Sequence, residues 1–196
     1  SDAPEADKAL VCKRLAVHGS AAAVPELAKL LGNERLSSWA RIALEAIPDP
    51  ACAAALRQAA ATQSGRLAVG VINSLAALKD GAAVEVLTKR LSDPDPQIAS
   101  AAAVALGAIG DAASAAVLRG AIGASDTAVR SAVAEGLVLC AERATASGNA
   151  ADAVTLYELV RRADLPPQRI REATRGAILA RGEDGVPLLL EQLRSE

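Results

Sequence analysis

Aromatic residues are almost missing from this chain of 196 residues, which has one Trp, one Tyr, no Phe and no Met. Globular domains of this size ordinarily use aromatic rings to fill the wide spaces between layers of secondary structure. Hydrophobic residues nevertheless make up 52% of the chain, and most of them are Ala, Val and Leu. A core of such small side chains requires helices that approach closely and pack against their immediate neighbours.

Residues that carry chemistry are also scarce. The single histidine, His18, precedes the helix break at Gly19, and three widely spaced cysteines form neither a disulfide framework nor a metal-binding pattern. We expect Cys140 to be buried, because it lies three residues after Leu137 on the same helix face. The chain has no zinc-protease motif, haem-attachment motif or phosphate-binding loop of the Walker type. We therefore predict that it is not an enzyme, and we assign no catalytic, cofactor-binding or metal-binding residue.

A charge of one sign and a long hydrophobic run are both lacking. The formal net charge is −2 with acidic and basic residues well mixed, which gives no electrostatic footprint for nucleic acid or an anionic membrane. No uninterrupted apolar stretch reaches the roughly 18 residues that a membrane-spanning helix needs. We expect neither nucleic-acid binding nor membrane insertion.

What the chain does contain is a repeat. Leu44, Leu75, Leu106 and Leu137 are spaced by 31 residues. Large aliphatic residues recur eight residues before most of these anchors, which places them on the same face of a helix. A second series, in the helix that follows each anchor, has almost the same intervals and comprises Leu27, Leu56, Leu87, Leu118, Leu156 and Leu189. Two positional series with one period near 30 residues are typical of an α-solenoid.

The two series predict an all-α fold, an α-solenoid that forms a right-handed superhelix of about six antiparallel helix pairs. We expect a single repeat array over residues 1–196. Its repeats fall at approximately 1–32, 33–62, 63–92, 93–123, 124–163 and 164–196. The chain starts without Met and ends without a polar capping repeat, so we expect a segment of a longer protein.

The repeats resemble a known family. The ending ALGAIG at Ala105–Gly110, the following Asp111, and AVPEL at Ala23–Leu27 are similar to the short bacterial HEAT-like repeats first described in phycobilin lyases. The resemblance implies a non-enzymatic interaction scaffold, an accessory region of a larger multidomain bacterial protein. Its partner is then a protein, a peptide or another domain of the same chain, and no cofactor is implied. Its location is left open: soluble, in the bacterial cytoplasm or exported.

Two alternatives remain for the function. One is an enzyme-associated module of the bilin-lyase type, which cradles a cofactor-bearing protein. The other is nucleic-acid binding, as in HEAT-like DNA glycosylases, although the concave aromatic and basic residues of those enzymes are missing here. Fold does not decide between such roles, because function depends on the site that a fold carries.

A partner-binding surface is predicted on the second helix of each pair. Positions two before and two after the second-helix anchor point away from the core, and the resemblance places these helices on the concave side. The candidate partner-binding strip comprises Lys29, Gln58, Glu85, Lys89, Ala116, Gly120, Glu158 and Glu191. It is basic early, small and neutral in the middle and acidic late, which suits an extended peptide or another domain. An ordinary solvated helix face has a similar composition.

Three further features invite interpretation. Asp49, Asp80 and Asp111 follow the anchors at a fixed offset, so we expect helix caps beside arginines such as Arg119. Trp39 stands where the other repeats have mostly small residues, and it either fills a local gap or contacts a partner. The fifth repeat is about ten residues longer than the others, which lengthens both of its helices and resembles a tetratricopeptide unit.

Overall fold

A computed structural model describes residues 3–195 of the chain. Helices account for nearly all of this stretch, and no strand occurs in it. The α-helices are α1 Glu5–His18, α2 Val24–Leu30, α3 Ser37–Ala46, α4 Pro50–Thr62, α5 Gly65–Leu78, α6 Val84–Arg90, α7 Pro96–Ile109, α8 Ala112–Ala121, α9 Thr127–Ala146, α10 Ala150–Arg161, α11 Pro167–Arg181 and α12 Val186–Ser195. Short 3₁₀ turns at Ala21–Ala23, Gly81–Ala83 and Gly182–Gly185 lead into α2, α6 and α12. The predicted all-α class is confirmed.

Side-chain caps determine where many of these helices begin. The carboxylate of Asp49 accepts a hydrogen bond from the backbone N–H of Ala51 at 2.9 Å, and that of Asp111 accepts one from Ser114 at 2.7 Å. Asp126 caps α9 in the same way. Each cap satisfies one of the N–H groups that the first turn of a helix leaves without a partner.

The chain divides into two compact units, Ser1–Ala105 and Leu106–Glu196. In the first unit, α1, α3 and α5 are neighbours in one layer, while α2, α4 and α6 are neighbours in another. The anchors of both predicted series lie between these layers, and Leu44, Leu56, Leu75 and Leu87 are completely buried. Burying large aliphatic side chains between paired helices supplies most of the stabilisation of such a unit.

In the second unit, α9 packs against α8, α10 and α11, and α10 packs against α11. Leu106, Leu118 and Leu137 are completely buried. The last anchor behaves differently from the rest, since Leu189 is 42% exposed and Leu193 is 64% exposed. These side chains lie on α12, which contacts α11 and the turn before it, so that part of its apolar face remains in solvent.

The fifth repeat contains the longest described helix, α9, which has 20 residues. It continues past Leu137 and ends before Gly148, whose positive φ of 81° is the left-handed conformation that favours glycine. Asn149 then accepts a hydrogen bond from the backbone N–H of Asp152 and caps α10. The predicted extension of this helix pair is therefore present.

Candidate functional site

The first unit presents half of the predicted strip on one surface. Lys29 of α2, Gln58 of α4, and Glu85 and Lys89 of α6 are all exposed, and these three helices are neighbours in their layer. Lys29 donates a hydrogen bond to Glu26 at 2.6 Å, and Lys89 donates one to Glu85 at 2.8 Å. These bonds from lysine lower the pKa of both carboxyl groups. The four residues define what we call the second-helix surface of the first unit.

In the second unit, three of the four predicted strip residues are exposed. Ala116 and Gly120 lie on the outer face of α8, and Glu191 lies on α12. Glu158 of α10 is different, since only 18% of its side chain is exposed. The offset from the anchor predicts an outward direction for Glu158, but neighbouring arginines hold it against the protein.

Glu158 is the centre of an ion-pair network between α10 and α11. Its Oε1 atom accepts hydrogen bonds from Arg161 at 2.5 Å and from Arg181 at 2.7 Å. Arg161 also donates to the hydroxyl of Thr174 at 3.1 Å. Burial raises the pKa of Glu158, but the hydrogen bonds from Arg181 and Arg161 outweigh this effect, so that the pKa is lowered overall. Glu158 is thus engaged within the protein and belongs to the helix interface.

A second network connects α9 to α11. Arg169 donates to Glu172 at 2.8 Å, to the hydroxyl of Ser131 at 3.3 Å, and to Glu135. Burial lowers the pKa of Arg169, but the bonds and charges of Glu172 and Glu135 raise it overall. Both networks join residues of the fifth and sixth repeats, where the helices depart from the regular length.

The lone tyrosine fills the space between these longer helices. Tyr157 of α10 is 4% exposed, and a Cβ atom added at Gly176 of α11 would come within 2.8 Å of its Cδ1 atom. Burial raises the pKa of Tyr157, a hydrogen bond with Thr145 opposes the rise, and the nearby charge of Glu142 adds to it. An open groove of about 560 Å³ lies beside the ring, between α9 and α11.

Trp39 of α3 is half-buried, and the Nζ atom of Lys13 in α1 lies 4.6 Å from the centroid of its ring. A lysine at this distance over an indole face makes a cation–π contact. The ring therefore joins the first two first-layer helices and has only part of its surface in solvent. This position combines the two sequence interpretations of Trp39.

The predicted acidic caps are partly joined to arginines. Arg57 of α4 donates to the carboxylate of Asp80 in the next repeat at 2.5 Å. Arg119 follows its anchor, Leu118, as Arg57 follows Leu56, but it lies on the exposed side of α8. The longer α9 explains the difference, because it continues as a helix where the shorter repeats place their acidic cap.

All three cysteines are free and buried, including Cys12 and Cys52. Burial raises the pKa of Cys140 to about 11, with a further rise from the charge of Asp111, and Arg119 and Arg143 oppose it. A thiol with so high a pKa is a poor nucleophile near neutral pH. Across residues 3–195 no three His, Cys, Asp or Glu side chains gather in a way that could hold a metal ion.

Paired helices in two layers, with anchors that repeat at one period, define an all-α helical repeat protein. Residues 63–138 match the model of the HEAT repeat family. This stretch includes the sequence Ala105–Gly110 and confirms the resemblance to HEAT-like repeats. Comparison with curated proteins found no match.

Two solved structures of engineered proteins are similar to this chain. One, Northeast Structural Genomics Consortium target OR329, is 21% identical, with a TM-score of 0.55 over 94% of this chain and 94% of that chain. The other, target OR497, is also 21% identical, with a TM-score of 0.52 over 80% of this chain. The present chain covers 47% of the length of that second protein. Similarity at this identity shows the fold alone.

None of the helices in the described part of the chain combines the length and hydropathy that spanning a bilayer demands.

Proposed function

We propose that this chain is a non-enzymatic scaffold that binds a protein or peptide partner, or another domain of its own polypeptide. One observation carries the proposal: Lys29, Gln58, Glu85 and Lys89 recur at equivalent outward positions of three neighbouring helices and are all exposed. Solenoids bind extended partners along such stacked helices. HEAT repeats at residues 63–138 support the same class of role.

The electrostatics of the second-helix surface suit an exchangeable partner. The side chains of Lys29 and Glu26 are 69% and 72% exposed, so their ion pair contributes little to stability. The pair between Lys89 and Glu85 is equally exposed. A partner of complementary charge can replace either pair without disturbing the core. Gln58 lies on the helix between them and offers neutral hydrogen-bonding groups.

Site-specific photo-crosslinking tests this proposal. A photoreactive amino acid replaces Gln58 on α4 in one variant and Asn73 on α5 in the other. Both positions are exposed amide side chains within helices, but they lie in opposite layers. We expect Gln58 variants to form a discrete cross-linked product in an extract of the source cells, and Asn73 variants to form none. The captured protein is then purified and its binding to the unmodified chain is measured directly.

A charge-reversal variant sharpens the result. Exchanging Lys29 and Lys89 for Glu is expected to weaken binding of the purified partner at least about tenfold, as expected for loss of complementary charge. Equal cross-linking from Gln58 and Asn73, or unchanged affinity of the charge-reversed chain, contradicts the proposal. The bilin-lyase alternative makes a separate prediction, which is a change in tetrapyrrole absorbance when the purified chain is added.

A further inference from the structure

A polar cavity of about 370 Å³ lies between the first turns of α3 and the beginning of α5. It is separate from the second-helix surface, since it is formed by helices of the other layer. Its lining includes Ser37 and Arg41 from α3, and Ser64 and Arg66 at the start of α5. Hydroxyl groups and guanidinium groups thus dominate its walls.

Arg41 brings a half-buried positive charge to this cavity. Its Nη1 atom donates to the carbonyl of Gly70 at 3.0 Å and to the hydroxyl of Ser74 at 3.2 Å. Its Nε atom is buried and has no hydrogen-bond partner. Among the ion pairs of the described residues, none involves Arg41. A guanidinium that is removed from water and unpaired with a carboxylate favours the approach of an anion.

Ser37 adds an unsatisfied donor. The residue is 4% exposed, and its Oγ atom has no hydrogen-bond partner. Buried hydroxyl groups in proteins are nearly always hydrogen-bonded, so an orphaned one at a cavity wall indicates a missing acceptor. An anion oxygen in the cavity is an acceptor of the required kind.

The start of α5 supplies further donors. This helix has 14 residues, and the side chain of its N-cap residue, Ser64, makes no capping hydrogen bond. Its first turn contains no acidic residue. The backbone N–H groups of Gly65, Arg66 and Leu67 therefore lack a side-chain acceptor, and the positive end of the helix dipole points toward the cavity.

We propose that this cavity binds a phosphate-type oxyanion, either free phosphate or a phosphomonoester. Arg41, the hydroxyl of Ser37 and the first N–H groups of α5 form its donors. Arg66 lies at the rim, where it is 3.8 Å from Glu34, whose side chain is 76% exposed. Glu34 turns into solvent when the anion enters, and Arg66 then becomes available to it. A bound dianion supplies the acceptors and the negative charge that these donors lack.

The test follows backbone amide signals of the isotope-labelled chain during titration with sodium phosphate, against sodium chloride at equal ionic strength. We expect saturable shifts at Gly65, Arg66 and Leu67 with phosphate only. A second arm uses a short phosphoserine peptide and its unphosphorylated form. Tighter binding of the phosphopeptide assigns the anion to a modified partner, and tighter binding of phosphate assigns it to the free ion. Binding in either arm supports the site.

Two pairs of variants separate this site from general charge effects. Ser37→Ala removes only the orphaned hydroxyl, so we expect an unchanged or higher melting temperature and about tenfold weaker phosphate binding. Arg66→Gln is expected to weaken binding. Arg35→Gln is its control, because Arg35 is an exposed arginine of the same region that pairs with Glu5. The proposal is overturned by the absence of saturable shifts in both arms, by full affinity in the Ser37→Ala variant, or by equal effects of the two arginine variants.

Discussion

At the scale of single residues, two glycines set the distance between α7 and α9. A Cβ atom added at Gly107 would lie 2.7 Å from the carbonyl oxygen of Gly136 and 2.9 Å from its carbonyl carbon. Those atoms are backbone and cannot turn aside as the end of a side chain can. The two helices therefore touch through their backbones, which a core poor in large side chains makes possible.

This contact predicts a strong effect of one methyl group. We expect Gly107→Ala to lower the free energy of unfolding by about 1–3 kcal/mol, because overpacking outweighs the gain in helix propensity. The matched control is Gly120→Ala in α8, where nothing lies within 4 Å of the added Cβ. That variant is expected to be about 0.5–1 kcal/mol more stable. Urea denaturation measures both, and equal stability of the two variants would show that α7 and α9 can separate at little cost.

The two glycines also show how far the sequence could be used. Their composition context predicted closely approaching helices, but 29 residues separate Gly107 from Gly136. Nothing in either local sequence indicates which helix the other glycine meets. The same is true of Glu158, whose partner Arg181 is 23 residues away. Its outward offset was predicted correctly only for an isolated helix, and the tertiary ion pair decides its actual position.

At the scale of elements, each helix has one face that only its neighbours can cover. Leu118 of α8 is completely buried, whereas Ala116 on the same helix is exposed. The two residues are separated by two positions, which places them on different sides of the helix. Because α8 is short, its neighbour α9 is needed to remove Leu118 from water.

We expect Leu118→Asp to destabilise the second unit by about 3 kcal/mol or more, because an unpaired charge is placed in its core. Leu106→Asp is expected to act in the same way, since Leu106 is also completely buried. Ala116→Asp introduces the same side chain on the exposed face and is expected to change stability by less than about 0.5 kcal/mol. Circular dichroism during thermal unfolding compares the variants. Equal melting temperatures for Leu118→Asp and Ala116→Asp would contradict the assigned faces of α8.

The irregular helix pair of the fifth repeat is an element that the sequence located well. The Gly148 turn and the Asn149 cap mark the boundary between α9 and α10. Local backbone chemistry governs such boundaries, so a single sequence contains the information. The side-chain networks of Glu158 and Arg169 were not predicted, because arginines and glutamates on helix surfaces have many possible partners until the helices are packed.

At the scale of the whole molecule, charge limits the classes of partner. The 21 basic and 23 acidic residues give a formal net charge of −2. Many of the charged side chains are already paired with a neighbour, as Arg57 is with Asp80 and Arg169 with Glu172. Affinity for nucleic acid depends largely on free basic residues that displace counterions from phosphates.

We therefore predict no measurable binding of mixed-sequence DNA or RNA at physiological salt. Fluorescence anisotropy of labelled duplex and single-stranded oligonucleotides is the measurement, repeated at several salt concentrations. A saturable signal that weakens steeply with added salt contradicts the prediction. The phosphate site between α3 and α5 gives a useful internal control, because free phosphate is expected to bind there under the same conditions.

The sequence by itself determined the helical class, the period, the anchors of the core, the place of the irregular repeat and the candidate surface residues. These properties follow from side-chain spacing along a helix and from capping chemistry, both of which are local. Tertiary structure decided which helices touch through glycine, how Glu158 is held, how Trp39 is covered by Lys13, and that Ser37 and Arg41 meet the start of α5. Each of these depends on side chains brought together from different helices, and a contact of that kind exists only after the chain has packed.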